Sequence, residues 1–254
     1  MPAKHLIKLY DVRCNLDPPA WSPNVWKTRF VLNFKKLPYT TQWLAYPDIG
    51  AILSAAGVPP TRTEKPYYTV PAIVDEVEGR HPVALADSLN IATYLERTYP
   101  QPTIFPGGTE RVQMTYITAI HEHVFMAMFY MVIPTTTRIL TGRDLDYYTA
   151  SRKGFIGVAL EEMFPPHKQE GMWAKLRQGL DQLSALIDSV RMGHRSRWLF
   201  SPVDTPSYAD FDLGAILIWF QKAGPEGGWA RIRDLNGGKW RRHMDNLQPY
   251  MQVL

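Results

Sequence analysis

The sequence predicts two folded units in one chain, an α+β unit followed by an all-α unit. Three observations predict it. Strand and helix signals alternate through the first hundred residues, a Pro- and Gly-rich run QPTIFPGGTE occupies residues 101–110, and everything beyond reads as helix. The predicted boundaries are therefore 1–100 for the first domain, 101–110 for a linker and 111–254 for the helical domain. A chain of 254 residues is long enough to bury a real core in such an arrangement.

Each element follows from local signals. HLIKLYDV at residues 5–12 reads as a buried strand. Ser22 then caps a helix with Pro23 at its first position, where proline is tolerated because that N–H has no helical partner. Val25, Trp26, Phe30 and Leu32 recur at helical spacing until Leu37-Pro38 ends the run. Residues 41–46 form a short second strand. Asp48 caps a brief helix, IGAILSAAG, closed by Gly57 and the Pro59-Pro60 pair. The polar stretch TRTEKPYY makes the 47–70 connection long for a compact domain, so it is expected to be functional or mobile. AIVDEV and HPVALA form a hairpin around Gly79. Asp87-Ser88 opens a helix bearing Leu89, Ala92, Tyr94 and Leu95 that ends at Tyr99-Pro100. The order is β-α-β, then β-β-α. Further helices are predicted near 110–132, 144–162, 169–190, 207–223 and 238–249, with no internal repeat.

Composition narrows the function classes. Hydrophobic residues make up 45% and charged residues 20%, as in an ordinary soluble protein, while eight tryptophans suggest more aromatic surface than packing needs. The opening MPAKHLIKLYDV lacks the apolar core of a signal peptide, and no charge-free stretch of about 18 apolar residues appears, so neither secretion nor a membrane span is expected. Cys14 stands alone, which excludes an internal disulfide and a cysteine-built zinc site and fits the reducing cytoplasm. The net charge is +4, and the densest basic clusters are Arg191, Arg195 and Arg197 and Lys239, Arg241 and Arg242. These clusters lie near helix ends, where the dipole favours cations, so nucleic-acid binding is not expected. The excess positive charge would help attract anionic small molecules.

Three short features carry chemistry, each with an ordinary structural alternative. Val70-Pro71 begins a strand; a cis-proline there would turn the Val70 backbone outward to pair with a peptide-like ligand. Asp87-Ser88 is a helix cap, but the Ser88 N–H and hydroxyl could also receive a carboxylate while Asp87 holds a neighbouring ammonium. Ser22-Pro23-Asn24 opens a helix whose positive end, with a hydroxyl or amide donor, would favour a bound thiolate over its thiol.

Taken together, this order of elements and motifs resembles the thioredoxin-like N-terminal domain of cytosolic glutathione transferases. SPNVWKTRFVL has the shape of that family's active-site helix start. The omega class carries a catalytic cysteine where this chain has Ser22, and fungal regulator-like transferases use the Asn of a Ser-Pro-Asn run, here Asn24, as the thiol contact. The resemblance thus implies Ser22 and Asn24 as catalytic residues. It also implies Val70 and Pro71 as the glutathione backbone site and Asp87 and Ser88 as the γ-glutamyl site. Lowering a thiol pKa by about two units, enough to ionise it at neutral pH, requires roughly 2.7 kcal/mol of differential interaction. Downstream, Ser207 and Asp210 have capping-box spacing before FDLGAILIW. The family carries a similar cap, which serves folding. The 47–70 insertion and the SPNVWKTR start look most like the fungal FuA class, related to bacterial β-etherases and known to bind wood-derived aromatics.

The resemblance implies a glutathione transferase that uses glutathione as co-substrate, without metal, to attack a hydrophobic aromatic electrophile by conjugation or ether cleavage. Ser22 in place of a cysteine argues against thiol transfer. A homodimer is implied, with glutathione and aromatic molecules, polyphenols included, as partners. A non-catalytic ligandin that stores or carries aromatic compounds is the alternative. The apolar helix HEHVFMAMFYMVIP offers Met and aromatic surface to a flat ligand, whereas His121 and His123 are expected to cap or pack rather than ligate metal. Arg62 and Lys65 are candidates for the glycine carboxylate of glutathione, Trp43 borders the site, and Cys14 is not expected to act as a nucleophile.

Overall fold

A computed structural model of the chain describes residues 5–191 and 196–254; Arg195 of the first basic cluster lies outside the described residues. The chain forms two compact units. One runs through Thr103 and takes in Thr141–Tyr147 and Tyr250–Leu254; the other comprises Ile104–Leu140 and Tyr148–Pro249.

The first unit contains β1 (His5–Val12), α1 (Pro23–Phe34), β2 (Tyr39–Leu44), α2 (Ile49–Ala55), β3 (Ala72–Val77), β4 (Val83–Ala86) and α3 (Ser88–Thr98). The strand order is β2-β1-β3-β4. β1 and β2 run parallel from Ile7↔Tyr39 to Val12↔Leu44, as a βαβ crossover requires, and β3 lies antiparallel to both β1 and β4. β2 starts two residues earlier than the sequence reading placed it. The Ile7 N–H reaches back to the Pro38 carbonyl at 2.9 Å, and pairing begins at once after that proline.

Polar groups lock α1 to the sheet. Arg29, fully buried, donates to Asp11 Oδ2 at 2.9 Å and to Thr41 Oγ1 at 3.0 Å, with the Trp26, Tyr39 and Trp43 rings around its guanidinium. A buried charge is costly unless paired, and burial still pushes the Asp11 carboxyl up to about 6. The segment Tyr250–Leu254 is strapped onto the same elements. Asn33 Nδ2 donates to the Tyr250 and Gln252 carbonyls at 2.7 and 2.9 Å, Tyr39 Oη donates to Gln252, and Thr41 Oγ1 donates to Leu254.

The second unit is helical. α4 (Glu110–Ile120) passes through a π-helical turn, His121–Phe125, into α5 (Met126–Thr135). α6 (Gly142–Ile156), whose opening turn counts with the first unit, is followed by α7 (Leu160–Met163), α8 (Pro166–Val190), α9 (Tyr208–Ala223), α10 (Gly228–Ile232) and α11 (Leu235–Leu247). The single helix expected over 144–162 is broken at Gly157, whose φ of 83° no helix accommodates, and the short α10 carried no sequence signal. α9 is the core: thirteen residues from Tyr208 to Phe220 are buried without a break. Its capping box is closed, with Ser207 and Asp210 bonded reciprocally.

Opposite the π-helical turn, α8 comes so near that a Cβ on Gly179 would sit 1.8 Å from the His123 carbonyl oxygen. Within Glu110–Ile139 a stretch of 18 residues reaches a mean hydropathy of 1.3, enough to cross a membrane by length and composition alone, a test that core helices of soluble proteins also pass. Its contacts with α8 and α9 place it within the helical unit.

Candidate active site

Within the first unit, the predicted site residues converge on one end of the sheet. A parallel βαβ crossover puts the N-terminus of α1 beside the carboxyl ends of β1 and β2, the end at which open sheets with parallel strands bind ligands. Ser22, 9% exposed, is the N-cap of α1, and its carbonyl accepts the Trp26 N–H at 3.0 Å. Its hydroxyl makes no capping bond. Ser207 uses its hydroxyl in a closed box, so the same residue type plays two different parts in one chain. Pro23 holds the first helical position and Asn24 is exposed on the first turn. The first-turn N–H groups and the helix dipole favour an anion there.

The second cluster comes to the same end through the sheet register. Tyr10 pairs with Ala72 and Ala72 with Ala86, so Val70-Pro71 and Asp87-Ser88 lie level with the last residues of β1. The Val70–Pro71 peptide is cis. The Asp87 N–H donates to the Pro71 carbonyl at 3.3 Å, which joins two motifs sixteen residues apart. Asp87 caps α3 through Oδ1, which accepts from the Leu89 and Asn90 N–H groups at 3.0 and 3.1 Å. It does so at φ 78°, a left-handed conformation costly for a residue with a Cβ and found disproportionately at functional sites. Ser88, half-buried, opens α3. No described hydrogen bond joins Ser22 or Asn24 to this second cluster.

The remaining candidates divide. Arg62 and Lys65 are exposed on a loop closed by the Thr61 and Arg62 N–H groups on the Tyr67 carbonyl and by a Thr61–Thr69 hydroxyl pair at 3.0 Å. Trp43 is half-buried, its ring 5.5 Å from the Arg29 guanidinium. Cys14 is half-buried before α1, with Sγ 3.3 Å from the Pro19 carbonyl. In the helical unit His121 lies 3.2 Å from Asp212 rather than in a metal cluster, and among the described residues no three His, Cys, Asp or Glu side chains could hold a metal ion.

Sequence reasoning missed a further group at the same sheet end. Arg13 follows β1, Tyr46 follows β2, and Asp144 on the opening turn of α6 receives both. Arg13 Nε donates to Oδ2 at 2.7 Å and the Tyr46 N–H to Oδ1 at 2.6 Å. Arg143 forks onto Asp48, and the Tyr46 and Tyr147 rings stack at 6.2 Å. Only the register of the folded chain brings residues a hundred positions apart together; no local pattern signals it.

Comparison with known proteins matches this architecture at both halves. Residues 21–98 match the glutathione S-transferase N-terminal domain and residues 112–250 its C-terminal domain. The chain is 31% identical over 231 residues, 87% of its length and 82% of the relative's, to the glutathione S-transferase-like protein ustS of Aspergillus flavus. In structure it is similar to a glutathione S-transferase of Ceriporiopsis subvermispora solved in complex with glutathione, at 32% identity, 98% coverage of both chains and a TM-score of 0.87. It is similar also to glutathione transferase GSTFuA3 of Phanerochaete chrysosporium, at 34% identity, 98% coverage of both chains and a TM-score of 0.86. The thioredoxin-like sheet, the helical unit and these matches agree: the chain belongs to the glutathione S-transferase family, in the company of fungal FuA-type transferases.

Proposed function

We propose that this protein binds glutathione at the carboxyl end of β1, ionises its thiol at the start of α1, and directs the thiolate onto a hydrophobic aromatic electrophile by conjugation or ether cleavage. One observation carries the reading: Ser22 caps α1 without using its hydroxyl in the cap, at the end of the sheet where Val70, Pro71, Asp87 and Ser88 also meet. In this reading Ser22 or Asn24 donates to the thiolate. Val70 and Pro71 present main chain to the peptide, and Ser88 with Asp87 takes the γ-glutamyl carboxylate and ammonium. Asp87 Oδ1 is engaged by the helix cap, so Oδ2 is the oxygen assigned to the ammonium. Residues 1–100 then form the glutathione-binding domain, joined by the linker 101–110 to the helical domain 111–254. A cytoplasmic homodimer is the assembly that fits the family and the single cysteine.

The test is isothermal titration with glutathione, followed by the ultraviolet thiolate band of the bound form across pH. Binding with a thiol pKa lowered by about two units supports the reading. No binding overturns it.

A cleft in the helical unit favours a second reading, binding of aromatic compounds without turnover. It has a volume of about 480 Å³ and is lined by Met126, Tyr130, Met163 and Met172, with Glu122, His123, Lys175 and Gln182 as polar groups. Methionine and aromatic walls adapt to flat ligands, and the size is that of a small-molecule site. Tight polyphenol binding with negligible turnover on every electrophile would favour the ligandin.

A further inference from the structure

The geometry points to Arg13 as an anion-recognising residue for the aromatic co-substrate, and hence to a carboxylate- or phenolate-bearing aromatic as the preferred class. The inference rests on the proposed glutathione chemistry and deepens it. Arg13 lies at the carboxyl end of β1, where its N–H completes pairing with the Leu44 carbonyl at 3.0 Å. The eight residues that follow lead directly to Ser22. Its side chain is fixed from one edge only. Nε donates to Asp144 at 2.7 Å, and Asp144 is 7% exposed and is itself pinned by the Tyr46 N–H. Among the described residues no partner meets the two Nη nitrogens, and half of the side chain is exposed.

A guanidinium held by its Nε presents its outer Nη groups as a planar donor pair, the geometry that suits a carboxylate. The neighbouring Arg143 has both fork nitrogens on Asp48, so it is paired where Arg13 is open. The carboxylate that holds Arg13 also accepts the Tyr46 N–H, and the Tyr46 and Tyr147 rings stack at an interplanar angle of 21°, with Tyr147 exposed. A flat ring laid on Tyr147 with an anionic substituent toward Arg13 would satisfy both surfaces. Asp144 explains why the cation stays in place: its buried carboxylate has Arg13 as its charged partner and would be costly without it.

The test compares an isosteric pair, cinnamate and cinnamamide, by isothermal titration onto glutathione-saturated protein. Wild type is expected to bind cinnamate about tenfold more tightly than the amide, equivalent to about 1.4 kcal/mol. Arg13→Ala is expected to abolish that preference while leaving glutathione affinity unchanged, and Arg13→Lys to retain part of it. Equal affinities in wild type, no cinnamate binding, or a preference that persists in Arg13→Ala would each overturn the assignment. If Arg13→Ala does not fold, the wild-type comparison and Arg13→Lys decide the matter. Failure of the glutathione titration itself would instead remove the proposed function, so the two failures read differently.

Discussion

Asp210→Asn isolates the part of the structure that serves folding from the part assigned to chemistry. The Asp210 carboxylate is wholly buried and accepts four hydrogen bonds. Leu199 and Phe200 donate their N–H groups to Oδ1 at 2.9 and 3.2 Å, and the Ser207 N–H and hydroxyl donate to Oδ2 at 3.0 and 2.7 Å. An asparagine offers one acceptor oxygen. Its best orientation keeps that oxygen toward Leu199 and Phe200, lets the Ser207 hydroxyl turn to accept, and orphans the Ser207 N–H. A buried orphan donor costs about 1–3 kcal/mol, and the surviving bonds weaken by roughly half when the acceptor loses its charge. The total is about 3 kcal/mol, a large share of a typical stability of about 5–15 kcal/mol. At roughly 2–4 °C per kcal/mol for a chain of this size, the melting temperature should fall by about 6–12 °C. The assay is a circular-dichroism melt paired with glutathione titration at a temperature where both proteins are folded. Glutathione affinity should be unchanged. An unmoved melting temperature, or lost affinity in a fully folded variant, would refute the assignment of Asp210 to folding.

Three further outcomes follow from the same geometry. Gly179→Ala places a Cβ in the His123 carbonyl, so the helices must part by more than an ångström; a loss of about 2–3 kcal/mol in urea unfolding, with faster hydrogen exchange over 121–125, is expected. Ser22→Ala should raise the pKa of bound glutathione by one unit or more while its affinity barely moves, and a larger effect in Asn24→Ala would transfer the thiol contact to Asn24. His243 is buried, and burial holds its pKa below the ordinary value despite the Asp210 carboxylate 4.0 Å away and the Asp210 carbonyl at 3.0 Å. The unfolded chain therefore binds the proton first, and this group's contribution to stability is lost as pH falls below about 6.5. His243→Gln should flatten that part of the pH–stability curve, and a variant curve parallel to wild type would count against it.

The sequence made the sheet end legible because its parts are local. The Ser-Pro helix start, the Val-Pro strand start and the Asp-Ser helix start are each short signals, and their order restricts the topology. The Ser207–Asp210 box was legible for the same reason. Periodicity also located α8 and α9, but it could not foresee Gly157 breaking the run that begins at α6. Asp48 shows the limit of local reasoning: it stands at the N-cap position of α2 as read, but it makes no side-chain cap bond and its carboxylate holds Arg143 instead. The Arg13–Asp144 pair was illegible, since one partner stands 131 residues from the other and neither belongs to a motif. The π-helical turn was equally hidden, because it accompanies a close approach by Gly179 that no window around His121 contains.

The strap formed by Tyr250–Leu254 has a consequence for the order of events during synthesis. The first unit draws on three separate stretches of chain, and the stretch that engages Asn33, Tyr39 and Thr41 is made more than two hundred residues after them. On the ribosome, α1 and β2 emerge early and can pair with β1, yet those side-chain donors must remain hydrated until the helical unit has been made. Domains generally fold as units from the N-terminus during synthesis. Here the first unit is completed only after the helical unit has been made, so a nascent chain arrested before residue 250 carries a thioredoxin-like sheet and an α1 whose Asn33, Tyr39 and Thr41 lack the carbonyl partners that the strap supplies.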